Sequence, residues 1–202
     1  YIPLTTILTD ELADVLYAKG LEHFLSLQTQ EMTDNNGQQF DFRGPYGEYY
    51  WEMFFHIPFL IAHHFNANQK FKEAKWWYER IFNPTADETP ADTKPTDHNW
   101  QFREFRGLTP QKLKDILTDV KAIEVYKKDP FDPHAIAQLR ISSYQKAIVM
   151  KYIDNLLDWG DYLFAQDTRE SINEAEMLYQ LAYNILGKRP VKMWKCETAD
   201  EN

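Results

Sequence analysis

Glu48, Glu52 and His56 follow one another at four-residue intervals, which places them on one face of a predicted helix. Carboxylates and an imidazole are ligand types of metal sites, and His63 and His64 follow two turns later. In the metal interpretation, Glu52 and His56 belong to a metal-dependent enzyme. The spacing matches neither HExxH nor the ExxH of di-iron bundles. We favour a partly buried histidine beside a carboxylate, and we predict no metal and no cofactor.

A second set of acidic side chains lies near the C-terminus of the chain. Paired carboxylates perform acid and base catalysis in glycosidases. A solvated helix face is the favoured interpretation, because the opposite face of the same predicted helix is apolar. The set comprises Asp154, Asp158, Asp161, Glu170 and Glu174.

Other candidates for catalysis are isolated. Arg169 lies in a segment, residues 167–171, that resembles a turn leading into a helix, and we expect Arg169 to pair with a nearby carboxylate. Cys196 is the only cysteine and lies in the predicted frayed tail, which argues against a catalytic thiol. The chain has no glycine-rich phosphate loop and no GxSxG motif. We predict no catalytic residue and no enzymatic activity.

Five tryptophans require burial or a partner: Trp51, Trp76, Trp77, Trp100 and Trp159. An aromatic groove binds sugar or peptide, whereas core packing is the more common role of such residues. Several of the five adjoin other aromatic residues in the sequence, so they cannot all face one core. We expect some of them to contact another protein surface.

These side chains are positioned by predicted helices, and no segment alternates with a two-residue period. The predicted fold is therefore all-α, an irregular helical bundle with two tetratricopeptide-like helical hairpins. We expect Gly20 to break the first helix. Pro58 is expected to kink the second helix unless it lies in the first turn of a helix. Ser171 and Glu174 are expected to form a capping box. Gly187 is expected to end the last helix. The predicted helices are residues 8–28, 48–64, 71–82, 110–122, 133–139, 143–165 and 172–186.

The predicted domain organisation is simple. Residues 1–190 form a single α-helical domain, in which residues 84–99, rich in Pro, Thr and Asp, are a flexible loop. Residues 191–202 are a frayed acidic tail. The chain begins at Tyr1 rather than Met, which we interpret as an excised fragment or a processed product.

An internal repeat relates two of the predicted helices. Residues 71–83 align without gaps to residues 172–184, with identical residues at Glu73/Glu174, Ala74/Ala175, Tyr78/Tyr179 and Asn83/Asn184. A small residue at a helix contact followed by an aromatic is typical of tetratricopeptide hairpins. Alternatively, any helical hairpin requires a small residue where its two helices approach.

The composition excludes several classes of function. The chain has 202 residues, 44% of them hydrophobic and 15% aromatic, which excludes global disorder. The net charge of −9 argues against nucleic-acid binding and against docking on an anionic membrane. The longest apolar stretch, residues 53–65, is too short to span a bilayer.

Several blocks of sequence together resemble the A component (TcA) of the insecticidal toxin complexes, also called tripartite ABC toxins. The resemblance covers most of residues 38–190, in the same order as in that family. The blocks are FDFRGPYGEYYWEMFFHIP (40–58), FKEAKWWYERIFNP (71–84), WQFREFR (100–106), DPFDPHAIAQLR (129–140) and ESINEAEMLYQLAYNILGKRP (170–190).

This resemblance implies a secreted bacterial toxin. The family's A components are very long chains that form homopentamers, bind target-cell surfaces, and translocate a toxic enzyme held by the B and C components through a membrane channel. The resemblance places this chain in the α-helical shell that precedes the linker and channel, with other A protomers and the B and C components as partners. It implies no nucleic acid and no small-molecule substrate. The chain contains no channel helices, so pore formation is assigned to no residue here.

Two other hypotheses stay open beside a shell segment of a toxin-complex A component. The first is a free-standing tetratricopeptide-like module whose groove takes a peptide, which the internal repeat and the surplus of aromatic residues favour. The second is the metal-dependent enzyme described above.

Overall fold

The chain folds into α-helices that pack around an aromatic core. The computed structural model describes residues 9–33, 37, 39–87, 94, 97–108, 120, 124, 127 and 141–188. The helices are α1 (Thr9–Phe24), α2 (Leu27–Gln30), α3 (Gly47–Trp51), α4 (Ile57–Ala67), α5 (Phe71–Glu79), α6 (Ile141–Phe164) and α7 (Arg169–Leu186). The described residues contain no β-strand and only isolated β-bridges, so the predicted all-α class is confirmed.

Gly20 interrupts α1, as the sequence predicts. Its φ of 81° lies in the left-handed region, which glycine adopts without a steric penalty. After α1, the side chain of Ser26 accepts a hydrogen bond from the amide of Thr29 and begins the short helix α2.

A π-helical turn, Glu52–His56, joins α3 to α4, and Pro58 follows it in the first turn of α4. The amide of Ile57 donates to the carbonyl of Glu52, five residues back. Proline is tolerated in a first turn because its missing N–H has no partner to lose there. Of the two alternatives predicted for Pro58, a kink or a place in a first turn, the place in a first turn is therefore correct.

Helix α5 ends at Glu79, three residues before its predicted end. The backbone beyond it pairs with a distant segment instead of continuing the helix. The amide of Asn83 donates to the carbonyl of Asn99 at 2.7 Å, and the amide of Gln101 donates to that of Ile81 at 2.9 Å. These long-range bonds compete with the last helical turn.

Half of the predicted flexible loop, residues 84–99, lies outside the described residues. The predicted tail, residues 191–202, and most of the two predicted helices at residues 110–122 and 133–139 also lie outside them. These features and the single-domain boundary stay predictions.

The described end of the 84–99 segment is held against the core. Asp97 is buried, and its carboxylate accepts hydrogen bonds from the amides of Lys94 and Gly107, both at 3.1 Å. Phe102 and Phe105 follow and are almost fully buried. This aromatic stretch is therefore attached to the main body of the fold.

The predicted capping box of Ser171 with Glu174 is wrong by one turn. Helix α7 begins after Thr168, whose side-chain oxygen accepts from the amide of Ser171 at 3.1 Å. The Ser171 hydroxyl in turn accepts from the amide of Thr168 at 3.2 Å. Thr168 has extended backbone angles, as an N-cap requires, so Ser171 occupies the third helical position. Gly187 ends the helix, as predicted.

Two helical hairpins, α4–α5 and α6–α7, form the part of the fold that positions the candidate site. Helix α6 also packs against α5, so the two hairpins share one core. Around the π-turn, aromatic rings meet at centroid distances of about 5–6 Å, mostly edge to face. The central rings are those of Trp51, Phe54, Phe55, Phe102, Phe105 and Tyr144.

Candidate functional site

The acidic and histidine residues of α3 and the π-turn do not form a metal site. Glu48 and Glu52 are exposed, whereas His56 is half-buried against the rings of Trp51 and Tyr144. The π-turn also disturbs the regular four-residue spacing on which the metal hypothesis depends. Within the described residues, no three His, Cys, Asp or Glu side chains are close enough together to hold a metal ion.

The three aspartates of α6 each have a different partner. Asp154 pairs with Lys151 at 3.2 Å, Asp158 accepts from the Asn66 amide at 2.8 Å, and Asp161 accepts from the Tyr179 hydroxyl at 2.6 Å. Asp158 and Asp161 are exposed, in agreement with a solvated face. The contacts of Asp158 and Asp161 connect α6 to α4 and α7, whereas Asp154 pairs within α6, so the three carboxylates have a structural role.

The remaining candidates lie apart from one another. His63 and His64 are exposed on α4, and Glu170 and Glu174 are exposed near the start of α7. Arg169 is also exposed, and no ion pair joins it to a carboxylate of the described part of the chain. Cys196 lies outside the described residues.

The tryptophans divide between the core and the surface, as their sequence neighbours predict. Trp51 and Trp100 are buried among other aromatic rings. Trp76, Trp77 and Trp159 are half-buried and line a groove on the outside of the bundle. This groove is the candidate functional site.

The groove lies between α5 and α7, the second helices of the two hairpins, both of which pack against α6. Its volume is about 730 Å³. A groove with a largely apolar lining suits the apolar side chains of a bound peptide or helix. The apolar lining consists of Phe65, Trp76, Trp77, Trp159, Met177, Leu178 and Leu181.

Arg80 contacts Trp76 in the outer wall of the groove. The guanidinium of Arg80 lies 4.5 Å from the centre of the Trp76 ring, a cation–π contact. Its Nη1 lies 2.8 Å from a carboxylate oxygen of Glu22, which joins α5 to α1. Trp76 and Trp77 contact each other edge to face at 5.2 Å.

The rim of the groove carries charges of both signs. Lys75 and Glu79 form an ion pair at 2.7 Å, and Glu79 also accepts a hydrogen bond from the hydroxyl of Tyr152 at 3.1 Å. Lys72 and Glu73 are exposed on the same rim. Because the rim carries both positive and negative charges, it favours neither an acidic nor a basic partner.

Three tyrosines around the hairpins are protonated at neutral pH. Burial raises the pKa of Tyr78 to about 12, and the hydrogen bond to Asp161 raises the pKa of Tyr179 to about 12. Burial, followed by the Glu79 carboxylate, also raises the pKa of Tyr152. All three phenols therefore stay protonated, which does not suit a general base.

Sequence reasoning did not single out four of the apolar groove residues: Phe65, Met177, Leu178 and Leu181. The spacing of Leu178 and Leu181 marks them as part of one face of a helix. Helical periodicity identifies such a face, but it does not show that two neighbouring helices leave a gap between them.

Comparisons with known proteins point to one kind of toxin. The chain is 28% identical over 201 residues to toxin subunit YenA2 of Yersinia entomophaga, and the match covers 94% of the chain. The Morganella morganii TcdA4 structure is 29% identical over 80% of the chain, with a TM-score of 0.59. The Yersinia pseudotuberculosis TcaA–TcaB structure is 26% identical over 95% of the chain, with a TM-score of 0.63.

The resemblance to toxin-complex subunits is confirmed. All three similar proteins are components of such complexes. No protein-family model matches the chain. The chain spans only 13% of YenA2, 6% of TcdA4 and 10% of TcaA–TcaB, so it corresponds to a small segment of each.

None of the described helices is long and apolar enough to cross a membrane.

Proposed function

We propose that this chain is a non-catalytic, α-helical shell segment of a toxin-complex A subunit. The observation that carries the proposal is the agreement of sequence and fold with components of such complexes, at 26–29% identity over 80–95% of the chain. The role is structural: the segment provides a rigid helical scaffold and surfaces for neighbouring parts of the toxin.

The arrangement of the candidate chemical groups supports a structural role. The aspartates connect helices, and the half-buried histidine of the π-turn packs against aromatic rings. The groove between α5 and α7 has a largely apolar lining, and its charged side chains lie on the rim. Such a surface binds protein side chains better than it stabilises a charged transition state.

In the full-length context we propose the role that the resemblance implies. The subunit is secreted, assembles with further A protomers into a pentamer, binds a target cell and, together with the B and C components, translocates a toxic protein through a membrane. This segment contributes to the shell of that assembly. One of the similar proteins is a toxin subunit, which supports the proposed extracellular location.

An epitope tag inserted into the chromosomal gene of the source organism tests the proposal. We expect immunoblots of culture supernatant to show a polypeptide several times larger than 24.0 kDa, which elutes as a multimeric particle. Particle images by electron microscopy then show whether the tag lies on an outer shell. A tagged product of about 24 kDa that stays inside the cell and elutes as a monomer would contradict the proposal.

The groove favours a second candidate function, a peptide-binding interaction module. Selection of peptides from a displayed library on the purified chain tests it, with Trp159→Ala as the groove variant and Tyr17→Ala as a surface control. Binding that Trp159→Ala abolishes and Tyr17→Ala retains supports the module. Peptides that bind both variants equally, or no selected peptide, count against it.

A further inference from the structure

Several buried positions recur in the two hairpins at the same 101-residue offset that relates the repeated sequence segments. They lie in the continuous helical run 47–67 and its counterpart α6, and in α5 and its counterpart α7, although the residue types often differ. Each member of the following pairs is at most 8% exposed: Trp51/Tyr152, Phe55/Leu156, Ala62/Leu163 and Ala74/Ala175. The equivalence therefore extends beyond the thirteen residues that align visibly in sequence.

The contact within each hairpin is also equivalent. In the first hairpin, the ring of Tyr78 lies 6.1 Å from the ring of Phe59. In the second, Tyr179 lies over Gly160, where an added Cβ would come within 2.6 Å of the Tyr179 ring. Both pairs stand at the 101-residue offset, so the second helix of each hairpin presents the same face to its first helix.

A second face of α5 is covered by α6. Tyr152 of α6 contacts both Tyr78, at 6.4 Å between ring centroids, and Phe82, at 5.8 Å. Tyr162 of α6 contacts Phe71 at 5.7 Å. The first helix of the second hairpin thus packs on the second helix of the first, which is how helical hairpins stack in solenoid proteins.

The equivalent face of α7 has no such cover among the described residues. Its positions, Ile172, Tyr179 and Tyr183, correspond to Phe71, Tyr78 and Phe82. Phe82, three residues beyond the end of α5, is 6% exposed and is covered by Trp100 as well as by Tyr152, whereas Tyr183 is 60% exposed. Leu186, one turn further along α7, is 58% exposed and extends the apolar stripe.

We propose that this stripe, Ile172–Tyr179–Tyr183–Leu186, is the docking surface for the first helix of a further helical hairpin of the same polypeptide. The α5–α6 interface then continues as an interface between α7 and the next helix. The incoming helix packs apolar residues, spaced three and four apart, over Tyr183 and Ile172. This inference rests on the proposed function, because it requires a longer subunit.

The sequence of α7 supports this occupant. A solvated helix face has no need for large apolar side chains, yet the stripe has one at each of its four positions. Their spacing matches a helix partner, whereas a flat or extended partner has no reason to follow it. The groove residues Met177, Leu178 and Leu181 are a separate set on α7, so the stripe is distinct from the candidate site.

Site-specific photo-crosslinking in the full-length subunit tests the inference. p-Azidophenylalanine replaces Tyr183 in one variant and Phe82 in a second, its equivalent in the first hairpin. We expect the probe at position 82 to crosslink to α6 near Tyr152, which shows that the method reports this contact. We expect the probe at position 183 to crosslink to a helical peptide of the same polypeptide that lies outside residues 1–202.

Two outcomes overturn the inference. One is a crosslink from position 183 to another protomer, to another protein or only to residues within 1–202, and the other is the absence of a crosslink in assembled particles while position 82 reacts. In both cases the tagged subunit is still large and secreted, so the proposed function survives. A 24 kDa product overturns the proposed function and this inference together, and its mass distinguishes that case.

A pair of substitutions gives a second measurement. Tyr183→Asp places a charge on the stripe, and Tyr183→Phe keeps the ring as a matched control. We expect Tyr183→Asp to leave the unfolding midpoint of the 202-residue chain unchanged and to lower the yield of full-length particle severalfold, while Tyr183→Phe lowers neither. Equal particle yields for both variants would count against docking at this face.

Discussion

In the first hairpin, α5 is covered by α4 on one side and by α6 on another, whereas in the second hairpin α7 is covered by α6 alone among the described residues. Tyr78 is fully buried as a result, and its equivalent Tyr179 is only partly buried. The residues that face inward within each hairpin are similar. The difference teaches that the local repeat specifies the hairpin, while the neighbouring helix determines which of its residues become core.

The largest difference in stability effect between the hairpins is expected when the two equivalent tyrosines are substituted. Tyr78→Ala removes a ring packed between Phe59 and Tyr152 and is expected to lower the free energy of unfolding by about 3–5 kcal/mol. Tyr179→Ala is expected to cost less than about 1.5 kcal/mol, because that ring is partly in water. Urea denaturation of the two variants measures both values, and equal costs would show that α6 does not distinguish the two positions.

Substitutions at the close helix contacts of the two hairpins are expected to lower the free energy of unfolding by similar amounts. Ala74 and Ala175 are completely buried, so Ala74→Trp and Ala175→Trp are each expected to cost about 3 kcal/mol through overpacking. Ala147→Trp, at an exposed position of α6, is the matched control and is expected to change stability by less than about 0.5 kcal/mol. A neutral Ala175→Trp in urea titration would mean that the α6–α7 contact is not where we place it.

Gly160 distinguishes the second hairpin from the first, where Phe59 stands at the equivalent position. A Cβ at residue 160 meets the ring of Tyr179, so Gly160→Ala is expected to destabilise the chain by about 1 kcal/mol. In a Tyr179→Ala background the same substitution is expected to stabilise the chain by about 0.5–1 kcal/mol, because alanine is the better helix former. The four chains form a double-mutant cycle, and additive values would rule out the contact.

The smallest expected effects concern the start of the second helix of the second hairpin. Thr168→Ala and Ser171→Ala each remove one half of the capping box and are expected to cost about 1 kcal/mol by thermal or urea unfolding. Glu174→Ala is the control, because Glu174 is exposed and makes no capping bond, and it is expected to change stability by less than about 0.5 kcal/mol. A larger cost for Glu174→Ala than for Thr168→Ala would restore the cap that the sequence predicted.

Much of the fold was predictable from local signals. The break at Gly20 and the end of α7 at Gly187 were identified correctly, because glycine adopts left-handed backbone angles that other residues avoid. The cap of α7 was misplaced, since Thr168 and Ser171 both carry hydroxyls suited to an N-cap. Only the extended backbone of Thr168 decides between them.

The candidate site was predictable only in part. The sequence indicated that the five tryptophans could not all face one core, but not which of them would lie outside it. The groove contains Trp76, Trp77 and Trp159. Sequence reasoning did not find Phe65 or the α7 side of the groove. The groove arises from the distance between two helices packed on a third, and that distance depends on long-range contacts.

By itself, the sequence determined the all-α class and the resemblance to toxin-complex subunits. It also determined the helical hairpin that has alanine at its helix contact and an aromatic residue one turn later. Tertiary structure alone decided the π-turn before Pro58, the early end of α5, the groove and the uncovered stripe on α7. The physical reason is the distance along the chain over which each interaction acts. Helix propensity, caps and breaks act within one or two turns, whereas burial depends on which distant segment packs against each face.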